Sequence, residues 1–153
     1  MEPLNLKQQI DSVISIAEVT AGRKGVFIEN MVDTELCVRA DKNTLNTIVR
    51  NLISNAVKYS NSGGVVIINS YVRDGEAVIS VSDNGIGMDS DTVNSLFSKR
   101  DVVSSPGTSK EAGTGLGLVL CKEFVEMNNG SIWAESREGA GCKLFFSLPL
   151  CKG

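Results

Sequence analysis

Along the first quarter of the chain the apolar residues Ile10, Val13, Ile14 and Ala17 recur at three- and four-residue steps, which predicts an amphipathic helix over Leu4–Arg23 with Gly25 as its stop. Val26–Val32 and Leu36–Ala40 are short runs that read as a strand pair. Helical spacing then returns with Leu45, Ile48, Val49, Leu52 and Ala56, which predicts a long core-facing helix from an N-cap at Asp41 to about Tyr59. After the turn Asn61-Ser62-Gly63-Gly64 come two strands, Val65–Val72 and Ala77–Ser82, joined by the hairpin signal Arg73-Asp74-Gly75-Glu76. A short helix is expected over Ser90–Phe97 and another over Thr114–Asn128, stopped by Gly130. Ser131–Ser136 and Cys142–Leu148 close the chain as a hairpin across Arg137–Gly141.

Helices and antiparallel hairpins in separate blocks predict an α+β fold, a two-layer sandwich. With 153 residues, a single domain spanning 1–153 is expected. Between the two late helices, Ser98–Ala112 has almost no periodic apolar pattern, and a loop of that length inside a compact domain is usually functional. Trp133 alternates with Ile132 and Ala134, so it is expected on the opposite side from them, outward or at an inter-domain contact.

Composition narrows the chemistry. At 42% hydrophobic the chain can build one core, and its net charge of −3 argues against nucleic acid or an anionic membrane as partner. No apolar run is long enough to span a bilayer, so no direct membrane insertion is expected, and no signal peptide opens the chain. Cys37, Cys121, Cys142 and Cys151 are widely spaced with no CxxC pair, which predicts reduced thiols in a cytoplasmic setting, with Cys121 packed inside a helix. There is no histidine at all, so imidazole bases, imidazole metal ligands and phosphohistidine acceptors are excluded from this polypeptide.

Three polar features remain. At about 100° per residue, Asn51, Asn55, Lys58 and Tyr59 fall on one stripe beside the apolar face of the long helix. An amide oxygen there can take a hard cation such as Mg²⁺, a lysine can meet phosphate, and a tyrosine ring can cover a base, though a solvated flank would look the same. Second, strand alternation puts Asp83 in the inward row of Ile79 and Val81, where a carboxylate needs a donor such as an exocyclic amine. Gly85 and Gly87 follow it and allow close backbone approach; alone, Asp83-Asn84-Gly85-Ile86-Gly87 would pass for a plain turn. Third, Gly113-Thr114-Gly115-Leu116-Gly117-Leu118 leads into a helix N-terminus, where free N–H groups and the helix dipole favour an anion. It lacks the spacing of a dinucleotide fingerprint, and no GxxxxGK[ST] occurs in the chain.

In this order, and with Leu96-Phe97 between the glycine segments, the motifs resemble the GHKL (Bergerat-fold) ATP-binding family, and within it the catalytic domains of sensor histidine kinases. The likeness extends over nearly the whole chain, to Leu148-Pro149. It implies a mixed, mostly antiparallel sheet of about five strands covered on one face by about three helices. It implies Asn55 as the Mg²⁺ ligand, Asn51 and Lys58 at the phosphates, Tyr59 against adenine and Asp83 on the adenine amine. Gly85, Gly87, Met88 and Phe97 would line the ATP site, as would Gly113, Thr114, Gly115, Leu116, Gly117 and Leu118 around the phosphates. Residues 98–112 would form an ATP lid, with Lys99, Arg100 and Lys110 as candidate phosphate contacts.

Hydrolytic members of that family (gyrase, the heat-shock chaperones and the MutL repair proteins) carry a glutamate base where this chain has Asn51. An amide cannot take a proton from water near neutral pH, which suits a domain that keeps its γ-phosphate for a protein acceptor. The resemblance therefore implies a protein histidine kinase domain that cannot autophosphorylate alone. Its acceptor histidine would lie on a separate dimerisation segment, absent from this chain, with a response-regulator receiver downstream and a homodimeric full-length protein around a monomeric domain. Three alternatives stand beside it: an anti-sigma-type serine kinase of the same fold, a non-catalytic nucleotide-binding module, and a plain α+β interaction domain whose glycines only serve turns.

Overall fold

The computed structural model describes residues 1–87, 97, 117–136 and 139–151. Strand β1 (Glu2–Asn5) leads into helix α1 (Leu6–Lys24), followed by β2 (Phe27–Asn30), β3 (Cys37–Ala40) and α2 (Lys42–Tyr59). Then come β4 (Val65–Arg73), β5 (Glu76–Asp83), α3 (Gly117–Met127), β6 (Ile132–Ser136) and β7 (Cys142–Pro149). Five strands form one sheet in the order β2-β4-β5-β7-β6, mixed because β2 runs parallel to β4 while the remaining pairs are antiparallel. This is the α+β sandwich that the periodicities predict.

One side of the sheet carries the core. Ala77, Ile79 and Val81 of β5 align with Leu148, Phe146 and Leu144 of β7, and all are buried against the helices. Leu45, Ile48, Val49, Leu52, Ile53, Ala56 and Val57 form the buried stripe of α2, and Leu118, Cys121 and Val125 that of α3. On the opposite side Trp133 stacks on Phe145, its cross-strand neighbour, at 5.4 Å between ring centroids. The Arg73 guanidinium lies over the indole at 5.5 Å, so Trp133 has the outward orientation its alternation predicts.

Local chemistry sets the boundaries. Asp41 accepts the Thr44 N–H at 2.9 Å and caps α2, and Gly25 ends α1 in the left-handed region at φ 77°. Asp74 (φ 51°) and Gly75 (φ 78°) supply the two positive-φ residues of a tight hairpin turn. Asn128 cross-links α3 to α2. Its carbonyl oxygen accepts the Asp41 N–H at 2.7 Å, and its amide donates to Thr44 Oγ1 at 2.8 Å and to the Phe124 carbonyl at 2.7 Å. Since Asn128 is buried, Asn128→Ala strands these groups away from water and is expected to destabilise the domain by about 2–3 kcal/mol, read as a shift in urea-unfolding midpoint.

Three expectations need correction. Val26–Val32 and Leu36–Ala40 are not paired with each other: β2 joins β4, and β3 pairs antiparallel with β1. Alternation shows that a segment is a strand but carries no information about its partner. Leu4 and Asn5 belong to β1 rather than to the first helix, and Asn5 caps α1 by accepting the Gln8 N–H. The thiols are not all reduced, because Cys37 and Cys151 form a disulfide with Cα atoms 5.4 Å apart. Wide spacing in sequence conceals a pair that the small β1–β3 sheet brings together, where Leu150 bridges to Val38. Cys121 and Cys142 are free and buried, as expected for Cys121. The predicted helix over Ser90–Phe97 lies outside the described residues except for Phe97, which packs against the core.

Candidate functional site

The polar stripe of α2 becomes a site because the ends of β5 and α3 are held against it. Asn51 lies beside the first residue of α3: its Nδ2 reaches the Gly117 carbonyl at 3.5 Å, and a Cβ on Gly117 would come within 3.7 Å of the Asn51 amide. Beneath it, the Cys121 thiol donates to the Ile48 carbonyl at 3.7 Å. Burial pushes that thiol to about 12, so it stays protonated and chemically quiet.

At the last turn of α2, the Tyr59 carbonyl accepts the Ile86 N–H at 3.3 Å. A Cβ on Gly85 would overlap that same carbonyl, so only glycine lets the segment after β5 lie this close to the helix. Lys58 Nζ sits 5.2 Å from the Tyr59 ring centroid. Lys24, from the end of α1, donates to the carbonyls of Val57 and Lys58 at 2.9 Å each and so caps α2 with a cation. Nothing local to Lys24 signals that role, since its partners lie in the next helix.

Asp83 ends the inward row of β5, half-buried, opposite Cys142. Burial raises its pKa above the ordinary carboxylate value, opposed by hydrogen bonds from the Gly85 N–H, at 2.9 Å, and from the main chain of Cys142. Asn84 accepts the Val65 N–H at 3.3 Å, tying the segment back to β4. Gly87 follows at φ 69°, buried.

The structure thus brings Asn51, Asn55, Lys58, Tyr59, Asp83, Gly85, Gly87 and Gly117 to one end of the molecule, where the C-terminal half of α2 meets the end of β5 and the start of α3. Leu118 is buried in the core. Met88, Lys110, Gly113, Thr114, Gly115 and Leu116, with Lys99, Arg100 and the proposed lid 98–112, lie outside the described residues.

The donor set fits a hard cation held with a phosphate chain. Among the described residues no group of histidine, cysteine, aspartate or glutamate side chains could hold a metal unaided. Asn55, in contrast, has a buried Nδ2 atom with no hydrogen-bond partner. An amide whose nitrogen has no internal partner, and whose nitrogen and oxygen can be exchanged, is suited to share an oxygen with Mg²⁺ while waters and phosphates complete the shell.

The sequence profile of the histidine kinase-, DNA gyrase B- and HSP90-like ATPase family matches residues 40–152. The chain is 40% identical over 139 residues to the sensor histidine kinase WalK of Bacillus subtilis (strain 168), covering 90% of this chain and 23% of that protein. Its fold superposes on the catalytic domain of the histidine kinase ThkA with a TM-score of 0.81 and 25% identity, covering 97% of this chain and 96% of that one. Full-length ShkA, crystallised in complex with AMPPNP, gives a TM-score of 0.82 at 25% identity, covering 99% of this chain and 31% of that one. The chain belongs to the histidine kinase-, DNA gyrase B- and HSP90-like ATPase family, and within it to the ATPase domains of sensor histidine kinases.

Proposed function

We propose that this domain binds Mg-ATP and donates the γ-phosphate to a histidine on a separate dimerisation segment of the same kinase, from which it passes to a receiver domain. The observation that carries the reading is the contact of one α2 stripe with both glycine segments, at Gly117 through Asn51 and at Gly85 through Tyr59. That arrangement supports a base at one end of the stripe and phosphates at the other. Binding of AMPPNP by ShkA, a structural neighbour, points the same way.

In this reading Asp83 accepts the adenine exocyclic amine, Tyr59 covers the ring, and Gly85 and Gly87 let the main chain follow it. Asn51, Lys58 and the N-terminus of α3 at Gly117 hold phosphate oxygens, joined by Gly113, Thr114, Gly115, Leu116 and Lys110. Met88 and Phe97 complete the apolar lining, with Leu118 packed in the core, and residues 98–112 act as the lid. Asn55 holds the metal. Mg²⁺, when bound, would offset charge on the phosphoryl group in transfer. The protein's own task is positioning, and Asn51 leaves water without a general base at the family's hydrolytic position. No helix among the described residues is long and apolar enough to cross a membrane. Because the proposed substrate is ATP, we place the domain on the cytoplasmic side of its parent kinase.

Mixing the domain with γ-labelled ATP and a purified dimerisation segment should label that segment on histidine, as an acid-labile phosphoramidate. Asn55→Ala is expected to cut the initial rate at least ~100-fold, the scale of losing a well-placed charge-stabilising group. Label on serine would favour the anti-sigma-type alternative. Tight Mg-ADP binding with no transfer to either acceptor would leave the regulatory module in its place.

A further inference from the structure

Gly139, Gly141 and Cys142, at the entry to β7, touch the Asp83–Ile86 segment at three points. The Gly139 N–H donates to the Ile86 carbonyl at 2.7 Å. The main chain of Cys142 hydrogen-bonds the Asp83 carboxylate. Between them, a Cβ on Gly141 would overlap the Asp83 carbonyl oxygen and sit 3.1 Å from Asn84 Cα. Gly141 has φ 85°, and its own carbonyl accepts the Ser136 hydroxyl at 3.1 Å, which fixes the turn to β6.

The far side of the segment has no slack either. Gly85 lies against the Tyr59 carbonyl with no room for a Cβ, Ile86 is hydrogen-bonded to that carbonyl, and Asn84 is tied to Val65. Backbone pushed at Gly141 must therefore carry Asp83 with it, because close-packed structure transmits displacement. We infer that the stretch 139–142 leading into β7 is a backstop that sets the position of the Asp83 carboxylate, making Gly141 and Ser136 positioning residues for recognition of the nucleotide base. The inference rests on the proposed role of Asp83 toward adenine.

Base selectivity tests it, since a general loss of stability would not move that ratio. Inosine diphosphate carries an oxygen where adenosine diphosphate carries the exocyclic amine, and a proton on N1, so the ratio of their dissociation constants reports recognition of the base edge that Asp83 would face. The wild type should prefer the adenine nucleotide by at least ~10-fold, and Gly141→Ala should reduce that preference about 5- to 10-fold. Gly75→Ala is the matched control: Gly75 has φ 78°, but a Cβ there meets nothing within 4 Å, and it lies at the opposite end of β5 from Asp83. It carries similar backbone strain and should keep the wild-type preference. Should Gly141→Ala fail to fold, Ser136→Ala is expected to lower the preference by a smaller factor, about 2- to 3-fold, with Ser136→Thr restoring it.

Wild-type preference retained in Gly141→Ala, or in Ser136→Ala where Gly141→Ala does not fold, would overturn the backstop. An equal loss of preference in Gly75→Ala would overturn it too, by showing that strain alone is enough. A wild type that binds both nucleotides equally would instead overturn the role of Asp83 on which the inference rests, and the backstop with it.

Discussion

Asp83→Ala is expected to weaken Mg-ADP binding about 10- to 150-fold, the equivalent of one charge-assisted hydrogen bond of ~1.5–3 kcal/mol. The carboxylate continues the apolar row Ala77, Ile79, Val81, and burial raises its pKa above the ordinary value of its type despite the support of Gly85 and Cys142. A folded-state pKa above the unfolded one means that the fold favours the protonated acid. That contribution is complete below the unfolded pKa and is lost as pH rises through the folded one. At neutral pH the ionised Asp83 is then a net cost to the unliganded domain. Asp83→Asn removes the charge and keeps an acceptor, so the free protein should melt no lower than wild type at neutral pH. The same variant should bind Mg-ADP about as poorly as the alanine, because the Gly85 N–H retains its amide oxygen and leaves the NH₂ group to meet the amine of adenine donor to donor. Wild-type affinity should also fall as pH is lowered through the raised pKa of Asp83, and the part of that fall due to Asp83 should vanish in Asp83→Asn. Titration calorimetry paired with thermal melts reads both quantities. Unchanged affinity in both variants would remove Asp83 from the site, and a lower melting temperature for Asp83→Asn would remove the argument from burial.

Much of this arrangement is legible from spacing because it is local. The stripe of α2 follows from helical period, the inward direction of Asp83 from strand alternation, and the tight turn at Asp74-Gly75 from residues that tolerate positive φ. The contacts that make a site from these pieces are non-local and leave no periodic trace. Gly85 looks like a turn glycine until Tyr59 is placed against it, and Gly141 looks like a hairpin glycine until Asp83 is placed against that. Lys24 gives the same lesson with opposite chemistry: a lysine at the end of one helix satisfies carbonyls at the end of another. Strand partners escape for the same reason, since β2 and β3 carry the right alternation and face different sheets. The roles assigned to individual side chains come from the resemblance and from these contacts together, and neither is readable from composition.

Reducing the Cys37–Cys151 disulfide is expected to cost about 3–5 kcal/mol of stability and to lower the melting temperature by about 10 °C. The sequence separation of 114 means that the bond closes a loop holding α2, β4, β5, α3, β6 and β7, and long loops lose the most unfolded-state entropy on closure. The folded chain already brings the ends together: the Cys151 N–H donates to the Cys37 carbonyl at 3.0 Å, and Leu150 bridges to Val38. Cys121 and Cys142 do not compete for the pairing, because both are buried in the core and burial pushes both thiols to about 12. Thiol titration therefore separates the cases. Denatured, unreduced protein should show only the thiols of Cys121 and Cys142, and prior reduction should add those of Cys37 and Cys151. All four reacting without reduction would overturn the bond. Cys37→Ser/Cys151→Ser should melt where the reduced wild type melts, and adding reductant to that variant should change nothing further. Because the cross-link acts chiefly on the unfolded chain, and because the contacts described for Asn51, Tyr59, Asp83 and Gly117 involve neither cysteine, Mg-ADP affinity measured well below the melting transition should be the same in the oxidised, reduced and doubly substituted forms.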